Sequence, residues 1–375
     1  MMKEFAKNHE EIQLNIIRDL CRIPAPSFGE RRRAEYCKAY FESFGAEGVY
    51  IDEVNNVIFP LNCEGSREIT VFAAHTDTVF PDTESYPEFH EDEERIYCPG
   101  VGDDTACVAA VMLTAKYFLE NNVSPKGGIL FVCNSCEEGL GNLAGTKQLM
   151  KEYAGRVKQF VTVDANTGNV VNVAVGSHRY EVTAETEGGH SFSKFGNKNA
   201  IAALSEVVCE IYKIKVPERE NSTTTYNVGI IEGGTSINTI AQSAKMLCEY
   251  RSNNRECLEI MKGEFERIFA AANTDETKLK VTLVGNRPCK GDVDPVAEET
   301  LIDAYRQAVK TVLGQDIKLL MASTDANIPM SLGIPAIDVG SRINFGSHKR
   351  EEYVEKDSLV PGLEIIIRTA LELTK

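Results

Sequence analysis

From its start to about Asn172 the chain alternates short apolar runs with longer stretches in which apolar residues recur at helical spacing. EITVFAAH (68–75), GGILFVCNS (127–135) and QFVTVDAN (159–166) are the runs, and continuous apolar segments of this length predict buried strands. ACVAAVMLTAKYFLE and LAGTKQLMKEY between them predict helices. Strand and helix in alternation predict a mostly parallel sheet covered by helices, a doubly wound α/β arrangement. Ligands of such sheets bind beyond the carboxyl ends of the strands. His75, the pair Glu137–Glu138 and Asp164 all fall at such ends.

The order changes between about Ser177 and Arg287. HRYEVTAET predicts a strand, NAIAALSEVVCEIYKI a helix, and TTTYNVGIIEG with AKMLCEYRS two strands around a glycine-containing turn. ECLEIMKGEFERIFAAA predicts a second helix and KLKVTLVG a last strand. That succession, β-α-β-β-α-β, is the ferredoxin-like split βαβ of a small separate domain. The first pattern then resumes with helix PVAEETLIDAYRQAVKTVL, strands IKLLMAS and IPAIDVG, and a closing helix after Pro361. Residues 177–287 are therefore expected as an insertion into a domain made of 1–176 and 288–375.

Composition narrows the partners. At 375 residues two domains are the expectation, and a net charge of −16 argues against nucleic acid or an anionic membrane surface. No apolar run approaches the roughly 18 residues of a spanning helix, and MMKEFAKNHEEIQLNII is charged and amphipathic rather than a signal peptide. A soluble, cytoplasmic protein is the expectation. Eleven cysteines without framework spacing read mostly as small reduced core residues. Cys133 and Cys136 have CxxC spacing, but Cys133 belongs to an apolar run and no second such pair exists.

The candidate chemistry sits where strands end. In HTD, residues i and i+2 of an extended chain share a side, so Asp77 can hold one nitrogen of His75. Taken alone this is either a hydrogen-bonded structural pair or a metal-binding imidazole with its tautomer fixed. Asp103 with Asp104 in GVGDDTA, Glu137 with Glu138 in NSCEEGLGN, Asp164 in VTVDAN and His348 in NFGSHKREEY complete the set. Two imidazoles and several carboxylates suit zinc or a similar divalent ion. Adjacent glutamates after an apolar strand would repel without a cation. The acidic run Glu91–Glu94 reads as a solvated loop.

Together the motifs HTDTV, GDDTA, EEGLGN, VDAN, EGGH with a following NAI, and H-x-x-x-E-Y resemble the M20 metallopeptidases, most closely their peptidase T-like branch. The resemblance spans nearly the whole chain. It implies a zinc-exopeptidase catalytic domain with an inserted lid that also mediates homodimerisation, and a small peptide as substrate. It implies two Zn2+ ions, with Co2+ or Mn2+ as alternatives: His75 and Asp164 on one, Glu138 and His348 on the other, Asp103 between them. Asp77 would orient His75 and Glu137 would be the general base. From the insertion, His190 would reach the reacting carbonyl, Arg251 would hold a substrate carboxylate and Asn238 would contact substrate. In the family, aspartate at the position of Asp164 accompanies aminopeptidases and dipeptidases, and glutamate the deacylases and carboxypeptidases.

Two departures bear on substrate fit. Thr105 stands where many members have lysine, and SFSKFGN lacks the proline that often follows the lid histidine. The implied activity is a tripeptide aminopeptidase; the rival on the same scaffold is a deacylase or carboxypeptidase. A non-catalytic binding protein would have lost the base or a ligand, and all are present. Phosphoryl transfer at Asp103–Asp104 would require a phosphate-cradling glycine loop, and no GxxxxGK[ST] occurs.

Overall fold

In Ile69–His75 every residue is buried, and alternate side chains serve two different cores. Phe72 and Ala74 enter one apolar cluster, Ile69, Val71 and Ala73 the other. The two-residue period of a strand enforces this division, which is why the strand carries no charged position before His75. The computed structural model describes residues 1–80 and 89–375. They form two compact units, Met1–Ala174 with Gly291–Lys375 and Val175–Lys290.

The first unit is built on an eight-stranded sheet. Its order is Tyr50–Ile51, Val57–Leu61, Gly128–Asn134, Ile69–His75, Val157–Asn166, Ala336–Arg342, Asn169–Ala174, Lys318–Ala322. The four central strands, from Gly128–Asn134 to Ala336–Arg342, run parallel, so their carboxyl ends share one edge. Antiparallel partners flank them: Val57–Leu61 on one side and Asn169–Ala174 on the other. Helices Ala106–Glu120, Pro295–Leu313 and Leu359–Leu373 pack into one core, and Ala144–Glu152 and Asn327–Ser331 into the other. The closing helix begins at Leu359 rather than after Pro361. Proline is tolerated there because the first helical turn needs no N–H partner.

The second unit carries a four-stranded antiparallel sheet ordered Thr224–Gly233, Ser243–Ser252, Gly176–Thr186, Thr277–Arg287. Helices Ala200–Ile211 and Arg255–Ala272 share its core. Each starts at an asparagine whose side chain accepts from first-turn N–H groups, Asn199 from Ile201 and Ala202, Asn254 from Cys257. A two-stranded ribbon pairs Gly189–His190 with Thr239–Ile240. No described helix in either unit is long and apolar enough to cross a membrane.

Candidate metal centre

His75 closes its strand with one ring nitrogen already committed. Nδ1 lies 3.0 Å from the main-chain oxygen of Asp77 and 3.5 Å from its carboxylate, so the neutral ring carries its proton there. Nε2 faces Asp103 Oδ1 at 3.0 Å and Asp164 Oδ2 at 3.8 Å; burial opposes the charged ring, but Asp103 and Asp77 outweigh it and hold the His75 imidazole well above its usual range. Asp77 thus orients His75 chiefly through its backbone. Its carboxylate, fully buried, accepts from Ser27 Oγ (2.6 Å), Glu137 N (2.9 Å) and Glu138 N (3.0 Å). It fixes the peptides that carry the glutamate pair.

Asp103 and Asp104 lie in the turn before helix Ala106–Glu120. Gly100 opens that turn at φ 76°, and a Cβ there would sit 2.5 Å from Thr78 Cγ2, so only glycine fits. Glu352, the acid of the H-x-x-x-E-Y motif, accepts from the N–H groups of Gly100 (2.8 Å), Gly102 (2.9 Å) and Asp103 (2.8 Å). The two aspartates then diverge. Asp103 presents Oδ1 to His75 and Oδ2 to His348 Nε2 at 3.2 Å. Asp104 accepts the His75 N–H at 3.1 Å through Oδ2 and faces Arg342 through Oδ1.

His348 Nε2 also lies 3.2 Å from Glu138 Oε1. The pair of close acids, Asp103 first and then Glu138, lifts the His348 imidazole to about 11. Burial pushes Glu138 up to about 8, with Asp103 and Glu137 adding to the shift against His348. Burial also opposes ionisation of Asp103, but His348 and His75 outweigh it and hold that carboxyl well below its usual range. Acids this close and this dry need positive charge between them. The donor atoms of His75, Asp103 and Glu138 lie within 4.8 Å of one another, as do those of His75, Asp104 and Asp164. The donor set fits a pair of divalent ions: two unprotonated imidazole nitrogens when neutral, three carboxylates, and one of these with an oxygen toward each imidazole.

Several supporting residues were not foreseen. Asp338 accepts from Asp164 N and Ala165 N, both at 3.0 Å, and so aims Asp164. Asp325 takes donors from Asn134 and Thr146; burial, then the charge of Glu137, raises it to about 7. Arg33, buried, donates to Thr76 O at 2.9 Å and to Thr105 Oγ1 at 3.1 Å. A guanidinium from another helix therefore lies against the residue that stands in the lysine position. Cys133 and Cys136 are buried free thiols, and Cys136 bonds Glu30. Nothing in the local sequence of Arg33, Asp325 or Asp338 marks them, because their partners are distant in the chain.

The second unit holds the other three candidates. His190 pairs with Thr239 in the ribbon, and Ser191 N donates to Asn238 O at 2.9 Å, so His190 and Asn238 lie at one place. The N–H groups of Phe192 and Ser193 point at His190 Nδ1, at 3.2 and 3.4 Å. A neutral ring then carries its proton on Nε2, free to donate. Arg251 is held in a fork by Glu249, with Nε–Oε1 at 2.8 Å and Nη2–Oε2 at 3.1 Å, and Arg179 joins the same carboxylate at 3.2 Å.

A family model for peptidase family M20/M25/M40 matches residues 71–372. Among curated relatives, the succinyl-diaminopimelate desuccinylase of Corynebacterium glutamicum is 25% identical, covering 88% of this chain and 88% of its own. Among solved structures, the aminopeptidase PepT of Bacillus cereus is 22% identical with a TM-score of 0.73, over 98% and 99% of the two chains. Bacillus subtilis YXEP, described as a dinuclear metal-binding peptidase, is 15% identical with a TM-score of 0.68, over 98% and 99%.

Proposed function

Because the chain belongs to peptidase family M20/M25/M40, we propose that it is a two-zinc exopeptidase releasing the amino-terminal residue of short peptides. The observation that supports this most directly is Asp103, whose two oxygens stand 3.0 and 3.2 Å from different imidazoles. We assign His75 and Asp164 to one ion, Glu138 and His348 to the other, and Asp103 to both. When bound, such ions polarise the scissile carbonyl and supply a hydroxide nucleophile at neutral pH.

The chain's own residues do the rest. Glu137, whose backbone is pinned by Asp77, takes the proton of the attacking water and passes it to the leaving amine nitrogen. Asp77 keeps the His75 proton on Nδ1. His190 donates from Nε2 to the carbonyl oxygen as it gains charge. Arg251 holds the peptide carboxylate in its planar fork, Glu249 presetting that fork until substrate arrives. Asn238 binds the peptide backbone. All eleven cysteines are free thiols, which suits a reducing cytoplasm. We further assign the second unit to homodimerisation.

The curated desuccinylase relative favours a second reading, amide hydrolysis releasing an acyl group. A panel decides: free tripeptides, N-blocked peptides and N-acyl amino acids, with metal content measured on the same preparation. Preference for free tripeptides with about two ions per chain supports the aminopeptidase. Turnover of N-acyl amino acids alone would replace it with the deacylase.

A further inference from the structure

Arg342 ends the strand Ala336–Arg342 and is 2% exposed. Its Nε donates to Gly102 O at 2.8 Å and its Nη1 donates to Ala165 O. Nη2 stands 3.6 Å from Asp164 Oδ1 and 3.8 Å from Asp104 Oδ1. Gly102 directly precedes Asp103, and Ala165 directly follows Asp164. One guanidinium thus ties together the two segments that carry the acids facing His75, and it places a fixed positive charge beside them. A histidine there would become neutral when a cation arrived; a guanidinium does not lose its proton.

We propose that Arg342 is a built-in counter-cation of the His75 side of the centre, a positioning residue that lets Asp104 and Asp164 share a dry pocket before any ion binds. The same charge then opposes the ion that binds there. A buried ion pair that loses one partner leaves an uncompensated charge, a severe destabilisation. In the metal-loaded protein the ion supplies the missing charge. A side chain that stabilises the empty form more than the loaded form lowers metal affinity by the difference. The strand-end arginine therefore keeps the empty centre folded at the expense of grip on one ion. This rests on the two-ion reading above.

The test is a zinc titration of chelator-stripped protein against a chromophoric competitor, with thermal melts of the stripped and loaded forms, for the native chain, Arg342→Met and Arg342→Lys. Arg342→Met should bind one of its two ions at least about tenfold more tightly, and its Tm should fall much further in the stripped form than in the loaded one. Folding only when zinc is present would be the extreme of the same result. Arg342→Lys keeps the charge but not the fork, so its affinity should lie between native and Arg342→Met. Native or weaker zinc binding in Arg342→Met would overturn the proposal, as would weaker binding in both variants, which marks a simple clip. Failure of Arg342→Met to fold even with excess zinc would also overturn it, since the ion should replace the charge. A native chain that takes up fewer than two ions would instead sink the two-ion reading, and this inference with it.

Discussion

Asp77→Asn removes one charge and one acceptor from a buried carboxylate that holds Ser27 Oγ at 2.6 Å, Glu137 N at 2.9 Å and Glu138 N at 3.0 Å. Ser27 and Glu138 share Oδ2, so the amide oxygen settles there and its NH2 turns toward the Glu137 N–H, donor against donor. One buried N–H is left unmade, at about 1–3 kcal/mol. Two charge-assisted bonds become neutral ones and lose about 1 kcal/mol each. The sum is about 3–5 kcal/mol, which for a unit of this size lowers Tm by about 10 °C. The loss falls on the peptides of Glu137 and Glu138 and on the carboxylate beside His75. Zinc affinity should therefore drop about 10- to 100-fold, and kcat should fall further than metal occupancy alone explains. The assay is a thermal melt, a competitive zinc titration and turnover at saturating zinc, each compared with Ser27→Ala, which removes a single donor. A variant with native Tm and native zinc affinity would refute the reasoning, because three buried donors cannot lose a charged acceptor without cost.

Glu137→Gln should keep both ions while kcat falls about a hundredfold or more, whereas Glu138→Gln should lose metal by elemental analysis; equal loss in both would undo the division of roles. His190→Ala should leave metal content and Tm unchanged while kcat falls about a hundredfold, and unchanged turnover would remove it from the reaction. Amidating a tripeptide should lower kcat/KM strongly in the native enzyme but little further in Arg251→Ala, since both changes delete one ion pair; additive losses would place Arg251 elsewhere. In the metal-free protein at pH 7, His348 (about 11) and Glu138 (about 8) both hold protons that a cation must displace. Zinc binding should release about two protons, measured by calorimetry in buffers of different ionisation enthalpy, and affinity should rise with pH steeply up to about 8 and more shallowly from there to about 11. Glu138, Asp325 (about 7) and Glu352 (about 7) are raised acids, protonated in the fold where the unfolded chain is ionised. Their share of the stability of the stripped protein should fall as pH climbs from about 4 to 8, and a stability that rose across that window would contradict their burial.

Much of the centre was legible because the chemistry lies at local positions. Strand runs announce themselves by continuous apolarity, and His75, Glu137–Glu138 and Asp164 are read directly from where three of them stop, while Asp103 comes from the turn that opens a helix. A parallel sheet then gathers those ends on one edge, so linear order implies convergence. The ferredoxin-like insertion was equally visible, because its strand and helix periods are distinct.

The antiparallel flanks of the large sheet were less legible, since pairing direction is set by which neighbour is free and not by a strand's own composition. The supporting charges were not legible at all. Arg33, Asp325, Asp338 and Arg342 meet their partners across 43 to 240 positions of chain. Nor does the sequence tell that Asp103 spans both imidazoles while its neighbour Asp104 turns to Arg342, or that Asp77 spends its carboxylate on the glutamate backbone. Adjacent acids are identical in composition and differ only in the field each meets. A sequence specifies which groups leave the water together; which charge faces which is decided only when burial lowers the dielectric around them and distance begins to govern energy.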